Sequence, residues 1–462
     1  MSEHCGYVVK ISELNPHSNA DRLQIATIFG ASVIVGLDVK IGDLGVYFPI
    51  DLQLSEEYCA QNNLVRKKDE NGNNVGGYLD PDKRNIRAMK LRGEKSEGLF
   101  MPLESLAYTG ETKFEVGNKI DVLNGHEICR KYIPKVQNRQ GHVSEGNRTR
   151  KRHVPIAPLF AEHADTEQLA YNMEAFKAGD HIEITLKMHG TSGRTGYLPK
   201  FQGYKRTFWD KIFRREGTPI YDWGYVTGTR RCVINDFNDG GGFYGDNAFR
   251  EPHARFFEGK LHKGETVYYE IVGFTNTGAP IMGQVSNSKI SDKEFTKQYG
   301  KETVFSYGCD PKGTPAMING AGETVCEASP QSAMYVYRMT MTNEDGDVVE
   351  YTPDFMRYRC EQMGAKCVIP FWNGMIPDTY GGWASAGEYV KEIAEMFYDG
   401  PDPVGKTHVR EGVVIRIINR PKFCAYKHKN FSFKVLEGIA KDLAAAPDME
   451  EAQELLEEES DA

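Results

Sequence analysis

One lysine, two glutamates, an arginine and a lysine pair, spread between residues 187 and 429, carry the chemistry of this chain. Lys187 stands in the string Glu183-Ile-Thr-Leu-Lys-Met-His-Gly-Thr-Ser192. The alternation before it reads as a strand, and the glycine and small hydroxyl residues after it read as a turn. A lysine at a strand end, beside a glycine that lets a ligand approach the backbone, suits a covalent nucleophile. Alone, Lys-x-x-Gly usually marks a surface lysine before a turn. Four more strings follow. Thr227-Gly-Thr-Arg-Arg231 offers the cation Arg230 after a tight turn, and Tyr268-Tyr-Glu-Ile-Val-Gly273 puts Glu270 in an aromatic strand. Glu411-Gly-Val-Val-Ile-Arg416 puts Glu411 at the head of an apolar strand. Tyr426-Lys-His-Lys-Asn430 ends a strand with Lys427 and Lys429 on one face.

Each type has a job if the substrate is a nucleoside triphosphate. An amine attacks only when neutral, and cations such as Lys427, Lys429 and Arg230 would lower the pKa of Lys187. Phosphoryl chemistry is mainly positioning and charge neutralisation, supplied by lysine, arginine and Mg²⁺. Glu270 and Glu411 can hold Mg²⁺, its waters or a ribose hydroxyl. Tyr337, in Tyr335-Val-Tyr-Arg-Met339, offers a ring to stack on a base. Taken singly, each glutamate or tyrosine reads as well as a strand-end ion pair or a core aromatic.

The elements that must position these residues fall in two regions. Residues 1 to about 125 read as short strands bounded by Gly, Asn or Pro, at Val8–Ile11, Leu23–Ile28, Ala31–Val35 and Gly45–Phe48, which suggests a small barrel. Residues 61–85 read as a long exposed loop and 137–152 as a linker. From about 165 to 440, strands at His181–Lys187, Thr266–Phe274, Met334–Met341, Gly412–Asn419 and Lys422–Lys427 mix with helices at Pro353–Gly364 and Gly387–Phe397. This is an α+β pattern of antiparallel sheets flanked by helices, with no P-loop string.

The 462 residues, 40 % hydrophobic and 26 % charged, suit two or three globular domains. No apolar run approaches a membrane span and no signal peptide is visible, and the nine scattered cysteines form no C-x-x-C, so a cytoplasmic location fits. The net charge of −9 owes most of its excess to eight acids from Asp448 onward. Arg130 to His153 carries eight basic residues against Glu145 alone, and local fields attract phosphates more than net charge does. That run reads equally as a solvated linker.

In this order, Lys187, Arg230, Glu270, Tyr337, Glu411, Lys427 and Lys429 resemble the motifs of the covalent nucleotidyltransferase superfamily of ATP-dependent ligases and mRNA capping enzymes. The resemblance covers roughly residues 165 to 440. It implies that Lys187 forms a lysyl–AMP phosphoramidate and that Arg230, Lys427 and Lys429 assist. It also implies that His189, Gly190, Glu270, Tyr337, Glu411 and Lys427 bind the nucleotide, and that Glu270 and Glu411 serve the metal, Mg²⁺ or Mn²⁺. His189 departs from the Asp of many members, and Lys434 competes with Lys429 as the last lysine.

Asn15-Pro-His-Ser-Asn-Ala-Asp-Arg-Leu23 and Ile86 to Pro102 resemble OB-type tRNA-binding modules of aminoacyl-tRNA synthetases. Such a module before a nucleotidyltransferase domain is similar to the Deinococcus-type RNA ligases. The resemblance implies an OB-like β-barrel at 1–130, a basic linker at 131–164, a nucleotidyltransferase domain at 165–442 and an acidic tail at 443–462. It further implies an ATP-dependent RNA ligase that joins 3′-OH and 5′-phosphate ends at nicks with an RNA 3′-OH strand. The partner is RNA or an RNA/DNA nicked duplex, with no membrane, and the protein is a monomer. The first region carries no ATP motif, so the second is expected to suffice for adenylation. The alternatives are a capping-type guanylyltransferase, disfavoured because only about 30 residues follow Lys429, and a non-catalytic RNA-binding protein. Lys200 to Gly224, with Tyr204, Lys205, Arg206, Phe208, Trp209, Arg214 and Arg215, suits single-strand or nick contacts, or is a solvated hairpin with its own small core.

Overall fold

A computed structural model of the chain describes residues 4–68, 72, 75–133, 155–164, 166–213, 215–238, 244, 247–318, 324–326 and 328–442. The expected linker over 137–152, most of the basic run and the acidic tail lie outside the described residues. The chain forms two compact units.

The first unit holds described residues up to 133 and recruits two later segments, Val285–Glu302 and the helix Phe431–Asp442. It therefore cuts the chain differently from the boundary expected at residue 130. Its strands are short and antiparallel, in the order Lys119–Ile120, Gly6–Lys10, Leu44–Phe48, Leu99–Pro102 in one sheet. A second sheet runs Leu14–Pro16, Leu23–Ile28, Ala31–Gly36. Alternating inward residues such as Val8, Val46, Phe48, Leu52 and Leu54 form one core with Tyr58 and Ile128. The expected 61–85 loop has little regular structure, yet it contributes Leu64 and Leu79 to that core. The recruited helix is buried nearly all round, Glu437 and Lys441 included, with Phe433 and Leu436 fully buried. Lys434 pairs with Glu97, Lys441 Nζ lies 3.0 Å from Asp51, and Lys95 sits over the Phe431 ring.

The second unit is built on two larger sheets. A five-stranded one runs Glu167–Gln168, Ala425–Lys429, Gly412–Ile417, His181–Lys187, Pro370–Met375. Its short edge strand Glu167–Gln168 alone pairs parallel. A six-stranded one runs Val233–Ile234, Thr218–Gly228, Thr191–Lys205, Glu265–Gly273, Ser332–Thr342, Val348–Glu350. Helix Ala386–Glu395 buries Ala386, Val390, Ile393 and Ala394, one face at helical spacing, against Ile182, Ile184, Val413 and Ile415. Helix Pro353–Met363 starts where Thr352 Oγ1 accepts from the Phe355 N–H and stops at Gly364 in the left-handed region. Its buried Arg359 makes a bidentate pair with Glu265, with Nε–Oε1 and Nη2–Oε2 both at 2.8 Å, which ties the helix to the Glu265–Gly273 strand. The chain is α+β, as expected. Among the described residues no helix is long and apolar enough to cross a membrane.

Candidate active site

The lysine strand is the central reference of the site. Residues 183, 185 and 187 share its face by two-residue alternation, and all three line one cleft. In register, Lys187 lies opposite Gly412, and Gly412 lies opposite Lys429. The residue before that glycine, Glu411, thus comes under both lysines. Its Oε1 is 2.8 Å from Lys187 Nζ and 3.4 Å from Lys429 Nζ, with the glutamate 1 % exposed. Position 412 must be glycine. Its φ is +150°, and a Cβ there would stand 2.1 Å from the His428 carbonyl oxygen. From sequence, Lys187 is expected among the cations Lys427, Lys429 and Arg230. The structure sets a carboxylate directly on its amine.

Glu411 Oε2 is 3.6 Å from His189 Nδ1 and accepts no hydrogen bond among the described residues. His189 is held on two sides. Its N–H donates to the Tyr307 hydroxyl at 2.7 Å, and its ring meets Phe305 edge-on at 4.7 Å. Burial pushes the Tyr307 hydroxyl well above its ordinary pKa, so it stays a neutral donor and acceptor. Gly190 lies tight against the neighbouring strand, where a Cβ would come 2.2 Å from the Ile271 carbonyl oxygen, and its N–H donates to Glu270 Oε1 at 3.0 Å.

Glu270 reaches the cleft from the Glu265–Gly273 strand. Burial raises its carboxyl to about 7. Glu411 adds to the rise, while Lys187, Arg230 and the Gly190 amide offset part of it. Arg230 lines the same cleft. Tyr337 enters it through a β-bulge, since Tyr268 and Tyr269 pair with Arg338 and Val336 and leave Tyr337 out of register. Bulges re-aim side chains, and this one aims a ring into the cleft. Lys427 stands on the same strand face as Lys429, paired in register with Val414 and Gln168. Lys434, the rival last lysine, belongs to the first unit and pairs there with Glu97. The structure therefore brings together Lys187, His189, Gly190, Glu270, Glu411 and Lys429, with Arg230 and Tyr337 on the cleft wall.

Several cleft residues carry no assignment from sequence. His163 is buried, accepts from Arg338 Nη1 at Nδ1 over 3.1 Å, and packs 5.1 Å from the Tyr337 ring. Burial, then Arg230 and Arg338, hold its pKa well below the usual imidazole value, so it is a neutral aromatic wall. Glu183 receives Arg357 Nη1 at 2.7 Å. Arg416 donates from Nη2 to the Tyr351 carbonyl at 2.9 Å, while its buried Nε and Nη1 have no hydrogen-bond partner among the described residues. Alternation four residues before Lys187 could have flagged Glu183. Nothing local flags His163, which arrives from an irregular segment. The empty space of the cleft, open solvent at its mouth included, is about 830 Å³.

The donor set can be tested against a divalent metal. Two carboxylates are at hand, and among the described residues no group of three or more His, Cys, Asp or Glu side chains could hold an ion alone. Mg²⁺ is commonly held by one or two carboxylates with substrate phosphates and water, so the set suits a metal that arrives with a nucleotide.

A family model described as an OB-fold domain matches residues 6–103. No curated protein sequence matches the chain. Among solved structures, a Naegleria gruberi RNA ligase mutant with AMP and Mn superposes with a TM-score of 0.53 at 15 % identity, over 94 % of this chain and 98 % of that one. A mutant of the same ligase with ATP and Mn gives 0.50 at 14 % identity, over 93 % and 98 %. The ligase with PPi gives 0.51 at 15 % identity, over 94 % and 98 %. The chain shares the fold of these structures along nearly its whole length.

Proposed function

We propose that the chain is an ATP-dependent RNA ligase acting through a lysyl–AMP intermediate, of the kind that carries an OB module ahead of the transferase unit as the Deinococcus-type enzymes do. The observation that carries this reading is buried Glu411 set 2.8 Å from Lys187, which lines a cleft walled also by Arg230, Glu270 and Tyr337. Solved structures of the same fold that hold ATP, AMP and PPi support it.

In the first step Lys187 Nζ attacks the α-phosphorus of ATP. A P–N bond forms, the bond to the bridging oxygen of pyrophosphate breaks, and the amine proton passes to Glu411, the carboxylate in reach. Lys429 and Lys427 face the developing phosphate charge, with Arg230 on the cleft wall. Tyr337 and His163 sandwich or edge the base. In the second step an oxygen of the RNA 5′-phosphate attacks the same phosphorus, the P–N bond breaks, and Nζ regains a proton. In the third the 3′-OH attacks the activated 5′-phosphate and AMP leaves. Glu270, with the phosphates, would hold the divalent metal, which supplies charge neutralisation when bound.

The alternative is a capping-type guanylyltransferase. Sealing assays decide between the two. Across nicked duplexes of every RNA/DNA strand combination, sealing should require ATP and not GTP, and should occur only where ribose ends the 3′-OH strand, since a 2′-OH tells RNA from DNA. Transfer from GTP alone would establish the alternative.

A further inference from the structure

The longest hairpin of the second unit ends in an exposed aromatic cluster that the reaction above does not use. Strand Thr191–Lys205 leaves the cleft at Ser192, and Thr218–Gly228 returns. At about 3.3 Å per residue the far end of the first strand lies up to roughly 45 Å along it from the cleft. A short helix, Phe208–Ile212, caps the tip. There Phe208 is 71 % exposed, Trp209 64 % and Phe213 60 %. A grouped exposure of large rings marks a binding surface, whereas single exposed apolar residues need no explanation.

The tip is built rather than loose. Thr207 Oγ1 accepts from the Asp210 N–H at 3.2 Å, and Asp210 Oδ2 accepts from the Thr207 N–H at 2.8 Å, a reciprocal cap. Trp209 and Phe213 stack with centroids 6.0 Å apart and planes 20° apart, and Arg215 lies 5.5 Å over the Phe213 ring. Between Phe201 and Gly217 the chain carries five basic and two acidic residues, on a protein of net charge −9, and one of those acids, Asp210, is occupied by the cap. Rings interleaved with cations suit nucleobases and phosphates.

We propose that this tip is a stacking platform for unpaired nucleobases of RNA, gripping substrate at a distance from the joint. The proposal rests on the RNA-ligase reading for the identity of the strand. It predicts that Trp209 and Phe213 take bases on their faces while Lys205, Arg206 and Arg215 take phosphates.

Binding to the full-length protein, measured without ATP by anisotropy of a labelled oligonucleotide, tests it independently of ligation. The double variant Trp209→Ala/Phe213→Ala should lose about tenfold or more in affinity for single-stranded RNA, with binding to a blunt duplex unchanged. Arg206→Glu/Arg215→Glu should weaken the same complex and flatten its salt dependence. Adenylation of Lys187 should be unaffected in both. Substrates trimmed to about six nucleotides on each side of the joint, roughly 20 Å at a 3.4 Å rise, should be sealed equally by wild type and variants. Unchanged single-strand affinity overturns the proposal, as does an equal loss for single strand and duplex. A variant that binds RNA normally but changes the sedimentation of the protein overturns it in favour of self-association. Failure of Lys187 to take AMP would remove the ligase reading and leave the binding result to stand or fall alone.

Discussion

At the scale of single residues, the pairing of Glu411 with Lys187 and Lys429 is the sharpest feature of the site. Glu411→Ala should slow AMP transfer by about a hundredfold or more, roughly 2.7 kcal/mol, and Lys427→Ala and Lys429→Ala should do likewise, with circular dichroism unchanged. Normal sealing by Glu411→Ala and Lys427→Ala would mean these roles are misassigned. Glu270 yields a pH prediction. Its carboxyl is raised to about 7 in the folded protein from the ordinary 4.5. Between those values the folded state holds a proton that the unfolded state has released, so stability falls as pH rises from about 4.5 to 7 and is level above. The full cost is at most about 3 kcal/mol. Glu270→Gln should therefore gain stability relative to wild type as pH rises through that window. Melting temperatures of the two proteins from pH 4.5 to 8 check this, and a constant difference would count against the burial of that carboxyl. The residues of the ordered motifs were legible because charged and glycine-flanked positions stand out in strands. Arg416 and His163 were not, because their significance comes from unsatisfied donors and buried neighbours that appear only on folding.

At the scale of elements, periodicity located the strands that carry the site to within two or three residues, and the helices Pro353–Met363 and Ala386–Glu395 through their caps and apolar spacing. The strand expected at Lys422–Lys427 is Ala425–Lys429, displaced because Arg420 to Phe423 makes the turn. Helix Phe431–Asp442 was missed. It begins directly after a strand with only Asn430 between, and its charged Glu437 and Lys441 are buried along with Phe433 and Leu436, so its polar positions do not mark an exposed face. The Tyr337 bulge is equally invisible, since nothing in Tyr-Val-Tyr-Arg signals a register shift. The Glu265–Arg359 pair predicts element-level stability. Glu265 is fully buried and also accepts from the Tyr351 hydroxyl at 3.0 Å. Arg359→Leu leaves a buried carboxylate without its cation and should cost about 3–5 kcal/mol in urea denaturation. Pairing it with Glu265→Gln should recover part of that loss, and a single-variant cost below about 1 kcal/mol would contradict the account.

At the scale of the whole molecule, the first unit is assembled from three stretches of chain. From sequence, the second region alone should suffice for adenylation, so that deletion of residues 1 to about 150 spares it. The packing predicts otherwise. That deletion removes Ala88–Leu91, Asp51 and Glu97, against which the Phe431–Asp442 helix packs, and leaves it the packing on Val285–Ser286 and Asn287–Ile290. The shortened chain should melt at lower temperature and aggregate, and adenylation should fall with it because Lys429 is one residue from Asn430 and the start of that helix. Thermal melts and labelling of the truncated and full-length proteins side by side check this, and a soluble truncated chain that labels at the full rate would contradict it. The central claim, that Lys187 receives AMP and hands it to RNA, is tested most directly by a pulse and chase. The protein is labelled with α-labelled ATP, freed of nucleotide, and given a nicked duplex bearing a 5′-phosphate. The label should sit on Lys187 as an acid-labile adduct, be absent from Lys187→Ala, and move to the RNA 5′ end before leaving as AMP. Label that persists in Lys187→Ala, or that stays on the protein through the chase, would contradict the account.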